Sequence, residues 1–380
     1  MKLFAKRVVT PAALLSAAML VAPAPSSAEV KFGKEGEPVN LVVGYQPYYT
    51  GSWSGIVVNG KELWKKYLPA GSTADFQVGL QGAVVINAMT GEKQHIGYVG
   101  DMPAIAATFR NLPDRGATDI RIVSTLGTSK QQCNIFLVRN DAPEFKDGIE
   151  AVKWMAGKTV SAPFGACTDR FARRAFEIAE IEPRRYLNQS IEVITTNFTA
   201  RKLDAAAIWE PTASKIELKG IARRVASGED FNILDGGFMV MLNDLIQQRP
   251  DVVKGWLNAE LDAQLYLADL NNADEVAAMA EQQTEQIDKK ILWASLYGAS
   301  GDALVDSVKI SLDFVATDRV NKLLEEGTAF LYNLPQKPAA AATIRPEALQ
   351  FQFAEEILKE RGLTAPVGEV KARPVSAFTE

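Results

Sequence analysis

The chain has 380 residues, with 41 Lys and Arg against 46 Asp and Glu, 47% hydrophobic residues, two cysteines and one histidine, His95. A single histidine excludes a histidine-rich metal site or a histidine acid–base pair. A formal charge of −5 without clustered cations argues against nucleic-acid binding and membrane-surface binding by counterion release. What remains is a globular protein long enough for two domains and a substantial core, with no cofactor or metal called for.

The first 28 residues read as a secretory signal peptide: Lys2, Lys6 and Arg7 form a basic start, 8–21 is apolar, and Ser26, Ser27 and Ala28 are small residues at the cleavage position. The alternative, a transmembrane anchor, meets an apolar run interrupted by Pro11 and shorter than the roughly 20 residues a spanning helix needs. Loss of three cations leaves 38 basic against 46 acidic residues, a net charge of −8. No cysteine lies near the cleavage position to take a lipid, so the expected destination is the periplasm of a Gram-negative cell, without direct membrane insertion. In that oxidising compartment Cys133 and Cys167 read as one disulfide closing a loop of about 33 residues, adding roughly 3 kcal/mol. Two separate buried thiols and a soft-metal pair stay open as alternatives.

Apolar runs at 39–45, 75–80, 96–99 and 120–126 predict strands, alternating with helices near 53–67, 82–90 and 101–110. A second set follows, with strands at 135–138, 159–162, 191–195 and 205–209 and helices near 148–156 and 169–181. Continuous apolar strands alternating with helices imply α/β units with mostly parallel sheets covered on both faces. After about residue 235 the pattern turns to long helices with little strand. Val252, Val253, Trp256, Leu257, Leu261 and Leu265 recur at helical spacing, as do Val320, Leu323, Leu324 and Phe330. The Pro- and Ala-rich stretch 335–343 reads as a linker before a last helix near 346–361, and the chain after 365 as a loosely held tail.

Ligands of parallel α/β sheets sit beyond the carboxyl ends of the strands. The candidate residues there are Tyr45, Gln46 and Gln81, then Gly100, Asp101, Thr128 and Ser129, and in the second unit Phe164, Gly165, Cys167, Thr168, Trp209 and Glu210. Several of these turns open a helix, with Asp101, Thr168 or Glu210 near the N-cap and Pro103 or Pro211 in the first turn. A helix start presents unpaired N–H groups and about half a positive charge, so an acidic protein can hold a small oxyanion without Lys or Arg. Tyr45, Phe164 and Trp209 would wall the apolar part of a ligand, and Gln46, Gln81, Thr128 and Ser129 would donate hydrogen bonds. The same residues also suit ordinary capping and loops. Asp101 and Glu210 either cap a helix or receive a ligand ammonium. Arg170 is placed to reach an anion, Arg173 and Arg174 read as solvated, His95 as structural, and Met102, Met239 and Met241 as core.

Three segments in order, 96–103 (IGYVGDMP), 157–165 (GKTVSAPFG) and 203–211 (LDAAAIWEP), resemble the aliphatic-sulfonate, taurine and nitrate binding proteins of ABC importers. The resemblance spans about 40 to 335. It implies a two-lobed periplasmic binding protein of type II, with lobe 1 from 29–134 and 235–380 and lobe 2 from 135–234. Crossovers would fall near 129–136 and 230–238. It implies a monomeric binding component that performs no chemistry: a small organic anion, most simply a sulfonate such as taurine or an alkanesulfonate, is captured by hinge closure and passed to the membrane subunits of an ABC permease. Nitrate or another small anion, an aromatic or pyrimidine ligand, and an enzyme on the same fold are the alternatives, although the cysteine cluster of relatives that make the thiamine pyrimidine is absent. By position, Gln46, Gly100 and Asp101 would line lobe 1, and Phe164 to Thr168, Trp209 and Glu210 would line lobe 2. Cys133 would lie beside the hinge and Cys167 at the cleft. Cys167 departs from the small hydroxyl residue usual at that place, and the last 45 or so residues exceed the usual sulfonate-binder length.

Overall fold

The structure, a computed structural model, describes residues 32–110, 118–285, 287–299, 305–334 and 341–379. The expected leader at 1–28 and the linker segment 335–340 lie outside the described residues.

Among the described residues, twelve strands form two sheets. The first takes β1 (Asn40–Tyr45), β2 (Thr73–Val78), β3 (Ile96–Gly100) and β4 (Ile120–Ser129). The second takes β5 (Ile135–Arg139), β6 (Thr159–Ala162), β7 (Arg185–Asn188), β8 (Ala205–Ile208) and β9 (Ala222–Ser227). The chain then returns to the first sheet with β10 (Asp235–Leu242), β11 (Val308–Leu312) and β12 (Gly368–Lys371). The orders are β12-β11-β4-β10-β3-β1-β2 and β7-β6-β8-β5-β9. Each sheet with its helices is a lobe.

Each lobe has a parallel centre with a reverse strand inserted beside it, and in the first lobe β11 is a second reverse strand, antiparallel to β4 and β12. β1 runs parallel to β2 and β3, while β10 is antiparallel to β3 and β4. β6 runs parallel to β7 and β8, while β5 is antiparallel to β8 and β9. The reverse strands β5 and β10 directly follow a crossing between lobes. A short crossing delivers the chain at the carboxyl ends of the parallel strands, so the next strand must run away from them.

Both faces of these sheets are covered, which is why the strands read as continuous apolar runs. In β5, Phe136 and Val138 enter one buried cluster and Ile135 and Leu137 the other, as a two-residue period requires. In the first lobe the long helix Pro250–Ala268, opened by Pro250 at its first position, buries Val252, Val253, Trp256, Leu257 and Leu261. Trp256 is fully buried and its indole N–H donates to Tyr98 Oη at 3.0 Å. Truncating it to Ala costs about 3–5 kcal/mol.

Some sequence expectations are corrected. The segment 191–195 is no strand: it opens the helix Ile191–Thr199, in which Ser190 accepts from Val193 N–H and Ile191, Ile194 and Phe198 are buried at helical spacing. The Thr195, Thr196 and Thr199 hydroxyls donate to carbonyls four residues back, which satisfies them inside a helix despite their β-branching. The strand of that region is β7, half-exposed and polar at the sheet edge. The helix expected over 53–67 divides into Ser54–Gly60 and the short turn Leu63–Lys66, with Glu62 between them at φ +49°. The helical C-terminal region also supplies β10, β11 and β12. The tail is held: β12 pairs with β11, and Val370 and Ala372 are fully buried.

Candidate functional site

The carboxyl ends of β1, β3, β6 and β8 open onto one cleft of about 450 Å³, its solvent-open part included. From lobe 1 it is lined by Gln46 and Tyr49 after β1, Gln81, Gly82 and Ala83 after β2, and Gly100 and Pro103 at the end of β3. From lobe 2 come Pro163 to Cys167 after β6 and Trp209 after β8. None of these thirteen residues is Asp, Glu, His, Lys or Arg.

Three helices begin at the cleft; Asp101 accepts from Met102 N–H at the start of Asp101–Arg110, and the other two, one per lobe, have uncapped starts. The helix Gly82–Thr90 follows Gln81 in extended backbone, and the helix Cys167–Ile178 follows Ala166 in extended backbone; neither N-cap residue gives a side-chain cap. The first N–H groups of a helix have no intrahelical acceptor, so both starts present donors and the positive end of a macrodipole. Gly165 turns the chain into the second helix at φ +76°, a conformation that favours glycine. At Gly82 a Cβ would stand 2.5 Å from Pro103 Cγ and 3.2 Å from Gln46 Oε1, so glycine is what the close approach of these elements demands. Gln46 is buried and its Oε1 has no partner. Phe164, 37% exposed, and Trp209, 5% exposed, form the aromatic wall.

The structure brings Gln46, Gln81, Gly100, Phe164, Gly165, Cys167 and Trp209 to this cleft and holds Tyr45, Asp101, Thr128, Thr168 and Glu210 out of its lining. Tyr45 lies in the lobe 1 core, edge-on to Phe76. Thr128 Oγ1 donates to Asp313 Oδ2 at 2.6 Å, and Ser129 Oγ donates to Lys309 O at 2.6 Å, both toward the β11 side. Thr168 is buried in the first turn of its helix, not at the cap, and its hydroxyl has no partner. Tyr49 was not foreseen. It is buried, donates to Gly236 O at 3.3 Å, and burial holds its phenol well above the usual range. Its only signal in the sequence is an aromatic just past a strand end.

Both ambiguous carboxylates are committed to the protein. Asp101 is fully buried, caps its own helix by accepting from Met102 N–H at 2.7 Å, and pairs with Arg170 Nη2 of lobe 2 at 3.2 Å. Burial nonetheless pushes its carboxyl up. Glu210, also fully buried, accepts from Ser214 N–H and Oγ at 2.9 Å and pairs with Arg224 Nη2 at 2.5 Å. Arg170 therefore bridges lobes instead of facing the cleft. It also donates to Leu234 O and lies 3.7 Å from Glu326. Arg173 does more than meet solvent: it binds Asp169 at 2.8 Å and stacks over Phe164 and Tyr186 at 5.0 and 5.1 Å. Arg174 pairs with Glu177 at the surface. His95 accepts from Val42 N–H at 3.1 Å, and burial lowers its pKa.

The lobes meet through Trp209, whose indole N–H donates to Tyr48 O at 3.0 Å, and through Thr50 N–H, which donates to Glu210 O at 3.2 Å. Cys133, in the crossing 130–134, is disulfide-bonded to Cys167 with Cα atoms 6.0 Å apart, so the free-thiol and metal readings fall away. Among the described residues no group of metal-ligating side chains gathers, and no helix is long and apolar enough to cross a membrane.

Two α/β lobes about one cleft, joined by paired crossings, are the periplasmic-binding-protein fold. No protein-family profile matches the chain, and no curated protein does. Among solved structures it is similar to the alkanesulfonate-binding protein SsuA from Xanthomonas axonopodis pv. citri bound to MOPS (TM-score 0.63, 19% identity, 82% of this chain and 98% of that one). It is similar to the periplasmic nitrate-binding protein NrtA from Synechocystis PCC 6803 (TM-score 0.65, 13% identity, 89% and 92%). A DSZB mutant in complex with biphenyl-2-sulfinic acid also shares the fold (TM-score 0.59, 16% identity, 84% and 99%). At such identities the likeness carries the fold, and the ligand must be argued from the cleft.

Proposed function

We propose that this chain is the exported, monomeric binding component of an ABC importer, with lobes divided near residues 135 and 235, which captures a small organic oxyanion between them and delivers it to the permease in the periplasm. The ligand class that fits is a sulfonate of the alkanesulfonate kind. One observation carries the reading: two uncapped helix starts, one from each lobe, meet in a cleft that has aromatic and proline walls and no charged side chain. Backbone amides and helix dipoles favour an anion there, while Phe164 and Trp209 offer apolar surface that a bare nitrate would leave empty. Taurine fits less well, because its ammonium would find Asp101 and Glu210 already paired.

DSZB, an enzyme on a similar fold, is the basis for a catalytic alternative. The cleft argues against it. It holds no carboxylate, imidazole or amine for proton transfer, and its one sulfur is in a disulfide.

A thermal-shift panel of propane-1-sulfonate, taurine, sulfate esters, nitrate, carboxylates and pyrimidines tests the reading. A ligand at a hundred times its Kd stabilises by about 2.7 kcal/mol. An alkanesulfonate should raise the melting temperature most; no rise with any sulfonate overturns the ligand class, and turnover of a ligand restores the enzyme.

A further inference from the structure

We propose that Cys133 and Cys167 are positioning residues: their disulfide fixes the cleft-facing start of the Cys167–Ile178 helix to the crossings between the lobes, so that its amide donors are set for an anion only in the oxidised protein. The inference rests on the capture site proposed above.

The topology of the bond carries the argument. Cys167 is the first residue of the helix, and Gly165 and Ala166 before it line the cleft. Cys133 lies in the first crossing, and its N–H donates to Asp235 Oδ2 at 3.1 Å, at the first residue of β10 beyond the second crossing. The helix start is thereby tied to both connections about which the lobes move. One turn later Arg170 reaches the same second crossing at Leu234 O and the other lobe at Asp101. Cys167 therefore places the helix start relative to the hinge.

Other ties on the turn 164–166 stay within lobe 2, among them the Phe164 ring against Tyr186 at 4.8 Å. Ala166 supplies no side-chain cap, Gly165 has open space about its Cα, and Phe164 is 37% exposed. Phe164 N–H donates to Asn188 Oδ1, Gly165 N–H to Asp169 Oδ2, and the Thr168 hydroxyl is buried without a partner. Fixed donors bind better than donors that must be ordered at each binding event. A dithiol such as dithiothreitol supplies the two electrons and two protons that break the sulfur–sulfur bond. It leaves two thiols on the protein and closes into a cyclic disulfide.

The test compares the oxidised wild-type chain, after leader removal, with the Cys133→Ala/Cys167→Ala variant. Calorimetry with propane-1-sulfonate is read alongside amide hydrogen exchange over 164–171 and over β1 and β6. The variant should bind at least about tenfold more weakly, and exchange at 164–171 should rise about tenfold while the strands stay protected. If the variant does not fold, both readings are taken on wild-type protein reduced at low temperature, with glutathione disulfide expected to restore them. Unchanged affinity together with unchanged exchange at 164–171 overturns the proposal and leaves an ordinary staple. If oxidised protein ignores propane-1-sulfonate, the capture reading fails by itself, and exchange alone then decides the positioning role.

Discussion

Asp235→Asn should remove a large part of the pH dependence of stability. Asp235 is buried at the start of β10, where its Oδ2 accepts from Cys133 N–H and its Oδ1 has no partner. Burial, and then the Asp101 carboxylate, push its carboxyl from 3.8 up to about 8. Between those values the folded chain holds a proton that the unfolded chain has released. Stability from this group is therefore fully present below about pH 4 and lost as pH rises through about 8, at about 1.4 kcal/mol per pH unit. From pH 5 to pH 8 the loss is about 4 kcal/mol, a large share of the 5–15 kcal/mol typical of a folded domain. Asparagine keeps the acceptor for Cys133 and cannot ionise. Glu260, pushed up to about 7 by burial, slopes the same way in both proteins and cancels, so the difference between variant and wild type reports Asp235 together with its coupled neighbour Asp101. Urea unfolding at pH 5, 6, 7 and 8 reads the effect. Wild type should lose stability steeply across the series and the variant much less. Parallel slopes would refute an Asp235 that is protonated in the folded state.

Arg170→Met strands the buried Asp101 carboxylate and should cost about 3–5 kcal/mol at pH 7 by urea unfolding; a cost under about 1 kcal/mol would mean the interlobe pair is slack. Gly82→Ala drives a Cβ to 2.5 Å from Pro103 Cγ, which should lower stability by about 1–3 kcal/mol and weaken propane-1-sulfonate binding in calorimetry. An unchanged melting temperature and affinity would show that the cleft is looser than the structure has it. Trp209→Phe keeps an aromatic wall but removes the N–H that reaches Tyr48 O, so the Kd should rise more than the melting temperature falls. Equal loss of both would make Trp209 a core residue.

Much of the parallel centre of each lobe was legible because short apolar runs bounded by turns leave little choice: 159–162 and the helices 82–90 and 101–110 match the observed bounds. What failed did so for identifiable reasons. Ile191 to Thr195 is β-branched at all but Glu192 and reads as strand, but Ser190 caps a helix there and the burial period is helical. β7 and β12 are short and partly exposed edge strands with little apolar signal. In the cleft, the strand-end rule found Gln46, Gly100, Phe164 and Trp209, because position along a strand is a local property. It could not separate Asp101 and Glu210 from the cleft. Their partners, Arg170 and Arg224, lie 69 and 14 residues away in the chain, and that pairing exists only in the fold. Tyr49 was marked only as an aromatic just past a strand end, and nothing local to the sequence marked Arg170 as a bridge.

Neutral donors between two lobes are proposed to capture an organic oxyanion. The most direct test is calorimetric titration of the oxidised protein, after leader removal, with propane-1-sulfonate at moderate and high salt. One saturable site per chain is expected, with an affinity that changes little with salt because no charged side chain lines the cleft. No heat with this or any longer alkanesulfonate, or binding that collapses as salt is raised, would contradict it.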